Sequence, residues 1–114
     1  MEKITVDTII NFLKDAVEKK MILPPSVFLD AAEKLNILRG DEEDKLINLM
    51  QKVAQYKTEK ILEGKSVAMA KVMVEATDTY KEMLIQKMRC ERIVEFIRIE
   101  KIRARLKDTE LSQY

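Results

Sequence analysis

Apolar positions recur at intervals of three and four along almost the whole chain, the period of helices and not the alternation of strands. Val6, Ile9, Ile10, Leu13, Ala16, Val17 and Met21 form one stripe and predict an amphipathic helix over residues 6–23. Thr5 stands where an N-cap belongs, and Asp7 puts a carboxylate in the first turn, where the helix dipole favours one. Pro24-Pro25 is expected to end this helix, with Ser26 capping the next. A short second helix over residues 27–38 carries Phe28, Ala31, Ala32, Leu35 and Leu38 on one face. Arg39-Gly40 reads as its stop, glycine being suited to the left-handed position just beyond a helix.

Asp41-Glu42-Glu43-Asp44 then reads as the start of a third helix, carboxylates gathered at the positive end of its dipole. A divalent-cation site is the weaker reading, because four adjacent carboxylates at a helix start do not converge on one point. The third helix covers residues 42–63, with a seam of Leu46, Leu49/Met50, Val53, Tyr56/Lys57 and Ile61 close to a seven-residue repeat. Gly64 is its expected stop and Ser66 the next cap; so short a connection between long helices makes an antiparallel helical hairpin. A glycine inside a helix costs only about 1 kcal/mol, so one continuous rod through Gly64 is the competing reading.

From 67 to 107 there is neither Gly nor Pro. A helix of that length spans about 60 Å, against a radius of gyration of about 13 Å for a compact domain of this size. One seam on it runs Met69, Met73, Ala76, Tyr80, Met83, Lys87, Cys90, Val94 and Ile97. A second stripe, Ile85, Met88, Phe96, Ile99 and Leu106, lies on the opposite side and only in the C-terminal half. A helix apolar on two opposite faces has to be covered on both. Either the first two helices fold back over it, or several chains pack together; the second reading is preferred, and Val94, Phe96, Ile97 and Ile99 are the expected association residues. The expected architecture is therefore all-α and a single domain over 1–114. It has a two-helix head at 1–40, a long coiled-coil-like hairpin at 41–107 and a flexible tail at 108–114, and it is expected to form homo-oligomers.

Charge changes the picture in one place. The 114 residues balance 21 Lys and Arg against 20 Asp and Glu, yet residues 81–107 hold nine basic side chains against four acidic ones. A basic helix is the usual footprint of phosphate-backbone binding, and Arg92, Arg98, Arg103 and Arg105 are the candidates for it. Against this, Arg98, Lys101 and Arg105 fall on one side of the helix, while Arg89, Arg92, Arg103 and Lys107 fall on the other. Lys and Arg also favour helix C-termini and the flanks of coiled-coil seams.

Catalytic chemistry is largely excluded. With no His and one Cys, the chain lacks Ser-His-Asp, Cys-His and zinc-binding sets, and no metal or cofactor is expected. Gly64-Lys65-Ser66 does not make a phosphate loop, since Glu59 occupies the position of that motif's first glycine. Glu91 and Glu95 read as surface partners of Lys87 and Arg98 and not as a catalytic pair. Cys90 reads as a small buried hydrophobe, and the seven methionines as adaptable core filler. A lone cysteine, no apolar leader and no membrane-length apolar run lead to an expected place in a cytoplasm, bacterial or host. The pattern of a helical head and a long helix with a basic end is similar to that of small accessory proteins of viruses and bacteria, recombination mediators and scaffolding proteins among them. The expected function is a non-catalytic, self-associating adaptor or scaffold working through helix–helix contacts. The alternative is a recombination-mediator-like nucleic-acid-binding accessory protein.

Overall fold

A computed structural model describes residues 4–112. Within them the chain forms four α-helices and no strand: α1 (Val6–Glu18), α2 (Pro25–Leu62), α3 (Val67–Glu75) and α4 (Asp78–Ser112). By its internal contacts it divides into a terminal unit, Met1–Gly40 with Glu91–Tyr114, and a middle unit, Asp41–Cys90.

α1 begins as expected, Thr5 Oγ1 accepting from the Thr8 amide at 3.2 Å. It ends earlier than the prolines imply. The Lys20 amide donates to the Val17 carbonyl at 3.1 Å and the Met21 amide to Ala16 at 2.9 Å, closing the helix on Lys20 at φ 51°. That is the crossed hydrogen-bond pattern of a Schellman C-cap, with lysine where glycine is usual. α2 starts at Pro25 and not after Ser26, because the first helical position needs no amide and proline's fixed φ already suits it.

The expected stop at Gly40 is wrong. Residues 39–44 lie inside α2, so the second and third predicted helices are one. Glycine in a helix interior forgoes only about 1 kcal/mol, less than breaking and re-capping the helix would cost. Consequently the Asp41–Asp44 run is not a helix start. Gly64, in contrast, is a true turn: at φ 96° it repeats the C-cap pattern, Gly64 N to Ile61 O at 3.0 Å and Lys65 N to Lys60 O at 3.1 Å. The continuous rod through Gly64 is thereby excluded. Ser66 caps α3 through the Met69 amide at 3.1 Å.

The single helix expected over 67–107 is two. Thr77 interrupts it: its hydroxyl donates to the Val74 carbonyl at 2.6 Å and accepts from the Tyr80 amide at 3.2 Å. A side chain competing in this way with the backbone ends one helix and caps the next, and Asp78 follows in the first turn of α4. α4 continues past Lys107 to Ser112; of the tail expected at 108–114, residues 113–114 lie outside the described residues.

The hydrophobic core belongs to the terminal unit. Val6, Ile9, Ile10 and Leu13 of α1 share one cluster with Phe28, Ala31, Ala32 and Leu35 of α2 and with Ile93, Ile97 and Ala104 of α4. The apolar faces read from the sequence for α1 and for residues 27–38 are those that this core uses. Covering of α4 by the first two helices, the less favoured expectation, thus holds for Ile93 and Ile97.

Candidate functional site

On α4 the inward positions are Met83, Gln86, Cys90, Ile93, Ile97, Glu100 and Ala104, spaced alternately three and four. This differs from the predicted seam: Lys87 and Val94 are exposed, while Gln86, Ile93 and Glu100 turn inward. Two polar side chains in a buried seam require partners, and the middle unit supplies them for Gln86.

Glu42, on α2, is 7% exposed. Arg89 grips it through Nε to Oε2 at 2.9 Å and Nη2 to Oε1 at 3.4 Å. The Gln86 amide donates to Glu42 Oε2 at 2.7 Å and to its backbone carbonyl at 2.8 Å, and Lys45 Nζ stands 3.6 Å from Oε1. Burial alone would push the Glu42 carboxyl up, but the hydrogen bonds from Gln86 and Arg89, with the Arg89 and Lys45 charges, hold it below its ordinary value. A two-pronged arginine–carboxylate pair is both strong and geometrically selective. It fixes α2 against α4 within this unit.

Cys90 joins the cluster with its Sγ 3.5 Å from the Glu42 carbonyl. Burial, with the Glu42 and Glu43 carboxylates, pushes its thiol up, which suits an inert thiol and not a reactive thiolate. Among the described residues no group of three or more His, Cys, Asp or Glu is placed to hold a metal ion. No helix there is long and apolar enough to cross a membrane.

In the terminal unit the second buried charge is Glu100, fully enclosed at 0% exposure. Arg103 Nη1 donates to its Oε1 at 3.0 Å, while Oε2 has no hydrogen-bond partner among the described residues. Burial pushes this carboxyl up, against the opposing pull of Arg103.

The four predicted association residues do not form one free face. Ile97 is in the core, Phe96 packs against that core half-buried, and Ile99 is half-buried beside Leu13 and Val17 of α1; Val94 is exposed. The four candidate arginines are also divided. Arg92 and Arg105 are exposed, Arg98 donates to Glu95, and Arg103 is held by Glu100. Sequence reasoning missed Glu42, Gln86, Arg89 and Glu100. The signal for Gln86 and Glu100 was present in the three-four spacing through 83, 86, 90, 93, 97, 100 and 104, which a count of apolar residues alone passes over.

Apolar surface is plentiful elsewhere. In the middle unit Ile47 and Met50 of α2, Val72 of α3 and Ile85 and Met88 of α4 are exposed, while its buried apolar side chains are Ala70, Val74 and Cys90. Compared with known families, characterised proteins and solved structures, the chain matches none of them.

Proposed function

We propose that the chain is a non-catalytic, self-associating helical adaptor or scaffold that acts through helix–helix contacts. The observation that carries this reading is the imbalance of the middle unit, which leaves Ile85 and Met88 about 60% exposed while burying only small apolar side chains. Ile85 and Met88, three residues apart and so neighbours on one helix, are the kind of exposed apolar side chains that an interaction face presents. The clasp of Arg89 and Gln86 on Glu42 adds support, since it orders α2 and α4 without consuming their outer apolar positions. Light scattering after size exclusion is the test: a mass at a multiple of 13.3 kDa is expected, and a monomer at all accessible concentrations would overturn the reading.

Nucleic-acid binding ranks second. Arg92 and Arg105 are exposed as it requires, but Arg98 and Arg103 are each engaged with a carboxylate of their own helix. Its test is oligonucleotide binding titrated with salt, where affinity should fall by about 0.9 log units per log unit of salt for each duplex phosphate neutralised.

A further inference from the structure

Two open cavities adjoin in the terminal unit, where α1 lies beside α4. One, of about 290 Å³, has walls of Leu13, Val17, Met21, Phe28 and Leu106 and a rim of Lys20, Arg103 and Lys107. The other, of about 370 Å³, is walled by Leu13, Val17, Phe96 and Ile99, with Lys14, Glu18 and Arg103 around it. Leu13, Val17 and Arg103 line both, so the two form one groove. Its α4 wall is the row Phe96, Ile99, Arg103 and Leu106, spaced three and four, which is one stripe of a helix. Ile99 and Leu106 stand one heptad apart on that row, about 10 Å along the axis. The walls are shallow: Val17 is 57% exposed, Leu106 59% and Met21 48%. Among the described residues no carboxylate lines the first cavity, and Glu18 alone lines the second.

We propose that this groove receives an amphipathic helix of a partner protein, acidic along its flanks and carrying two apolar anchors one heptad apart. Helices dock in apolar grooves through side chains at positions i, i+3, i+4 and i+7. An i and i+7 pair spans about 10 Å, the separation of Ile99 from Leu106, so one anchor enters each cavity. Lys14 rims one cavity, Lys20 the other, and Arg103 lines both, so cations run the length of the groove. Carboxylates on the flanks of a docked helix meet these cations, whereas basic flanks are repelled. Glu100 holds Arg103 through Nη1 at 3.0 Å, which leaves the other guanidinium N–H groups able to donate to a partner's carboxylate. A small ligand fits poorly, since pockets for small molecules bury most of the ligand's surface and these walls stand half in water. Every residue of the groove belongs to the terminal unit, so the inference goes beyond self-association and does not depend on it.

Fluorescence polarisation on the full chain tests the proposal with two labelled synthetic helices that share leucines at i, i+3 and i+7. One is flanked by glutamate and the other by lysine. The glutamate helix should bind, and the lysine helix should bind about tenfold more weakly or not at all. Val17→Asp and Leu106→Asp, each at a side chain more than half exposed, should lower affinity for the glutamate helix by about tenfold or more. Lys14→Glu combined with Lys20→Glu should reverse the preference between the two helices. Helix content by circular dichroism checks that each variant still folds. Binding of neither helix, equal binding of both, or binding that survives Val17→Asp and Leu106→Asp would each overturn the proposal. Vesicles containing an anionic phospholipid are the second probe. If they hold the wild type, release Val17→Asp, and the glutamate helix does not bind, the groove faces a membrane surface and the proposal falls. A lower solution mass for Val17→Asp than for wild type would give the groove to a second copy, with the same consequence. The mass of the wild-type chain tests self-association separately.

Discussion

The two units are stabilised by opposite means. The terminal unit gathers Leu13, Leu35, Ile93 and Ile97 into an apolar core and also encloses a carboxyl, Glu100, one of whose oxygens has no hydrogen-bond partner among the described residues. The middle unit buries little beyond Ala70, Val74 and Cys90, and its enclosed carboxyl, Glu42, is gripped by Arg89 and Gln86. Hydrophobic burial is strong but non-directional, whereas a hydrogen-bonded ion pair contributes less and specifies one alignment. The terminal unit is therefore held chiefly by apolar burial, and the middle unit by a directional ion pair that aligns α2 with α4 while several of its apolar side chains stay exposed.

The apolar core is where a single substitution should cost most. Leu35→Ala removes a side chain with 0% exposure and should cost about 2–5 kcal/mol in urea denaturation followed by circular dichroism. Arg89→Ala is expected to cost about 1–3 kcal/mol. It leaves Glu42 enclosed with its charge less well paired, though Arg89 is itself one-third exposed and Gln86 remains. The two losses can be told apart optically. Tyr56 and Tyr80 both lie in the middle unit and the chain has no Trp, so in a Tyr114→Phe background tyrosine fluorescence follows that unit. Leu35→Ala should leave the tyrosine signal of the middle unit closer to wild type than Arg89→Ala does.

Acid should affect the two buried carboxyls in opposite directions. Glu42 is held below its ordinary value, so its contribution is present above the unfolded-state value and is lost as pH falls through the lower folded one. Glu100 is pushed above its ordinary value. Its ionised form weighs against folding at neutral pH, and the terminal unit gains stability as pH falls from the raised value to the ordinary one. Glu100→Leu should therefore stabilise the chain by about 1 kcal/mol or more at pH 7 and remove that gain on acidification. Urea midpoints across a pH series on wild type, Glu100→Leu and Glu42→Gln would show it. A Glu100→Leu variant with the wild-type pH profile would refute the assignment.

Much of the terminal unit is legible in the residue pattern. Thr5, the faces of α1 and of residues 27–38, and the buried row from Phe28 to Leu35 all follow from local spacing and local capping. What escapes the sequence is set by residues far away in the chain. Gln86 and Arg89 face inward because Glu42 meets them across 44 and 47 residues. An apolar count assigns all three to solvent. The Thr77 break is different: Thr77-Asp78 carries the ordinary cap signature, but a long stretch without Gly or Pro masks it. At Gly40 the opposite error arises, a strong stop residue overruled by helix on both sides.

The smallest effects test the backbone. Lys20 and Gly64 end α1 and α2 with the same crossed hydrogen bonds, one in each unit, at φ 51° and φ 96°. A side chain in that left-handed region costs about 1–2 kcal/mol, which glycine avoids at some loss of unfolded-state order. Gly64→Ala should thus destabilise by about 1 kcal/mol even though nothing stands within 4 Å of the added methyl group. Lys20→Gly should stabilise by about 0.5 kcal/mol, the strain relieved exceeding the entropy returned to the unfolded chain. Gly40 completes the set, because its surroundings are equally open but its φ is not positive. There alanine only gains helix propensity, and Gly40→Ala should stabilise by about 1 kcal/mol or slightly less. Opposite signs at Gly40 and Gly64, read from thermal melts of two variants differing only in position, would show that α2 passes through one glycine and ends at the other. Destabilisation at both would return Gly40 to its role as a helix stop.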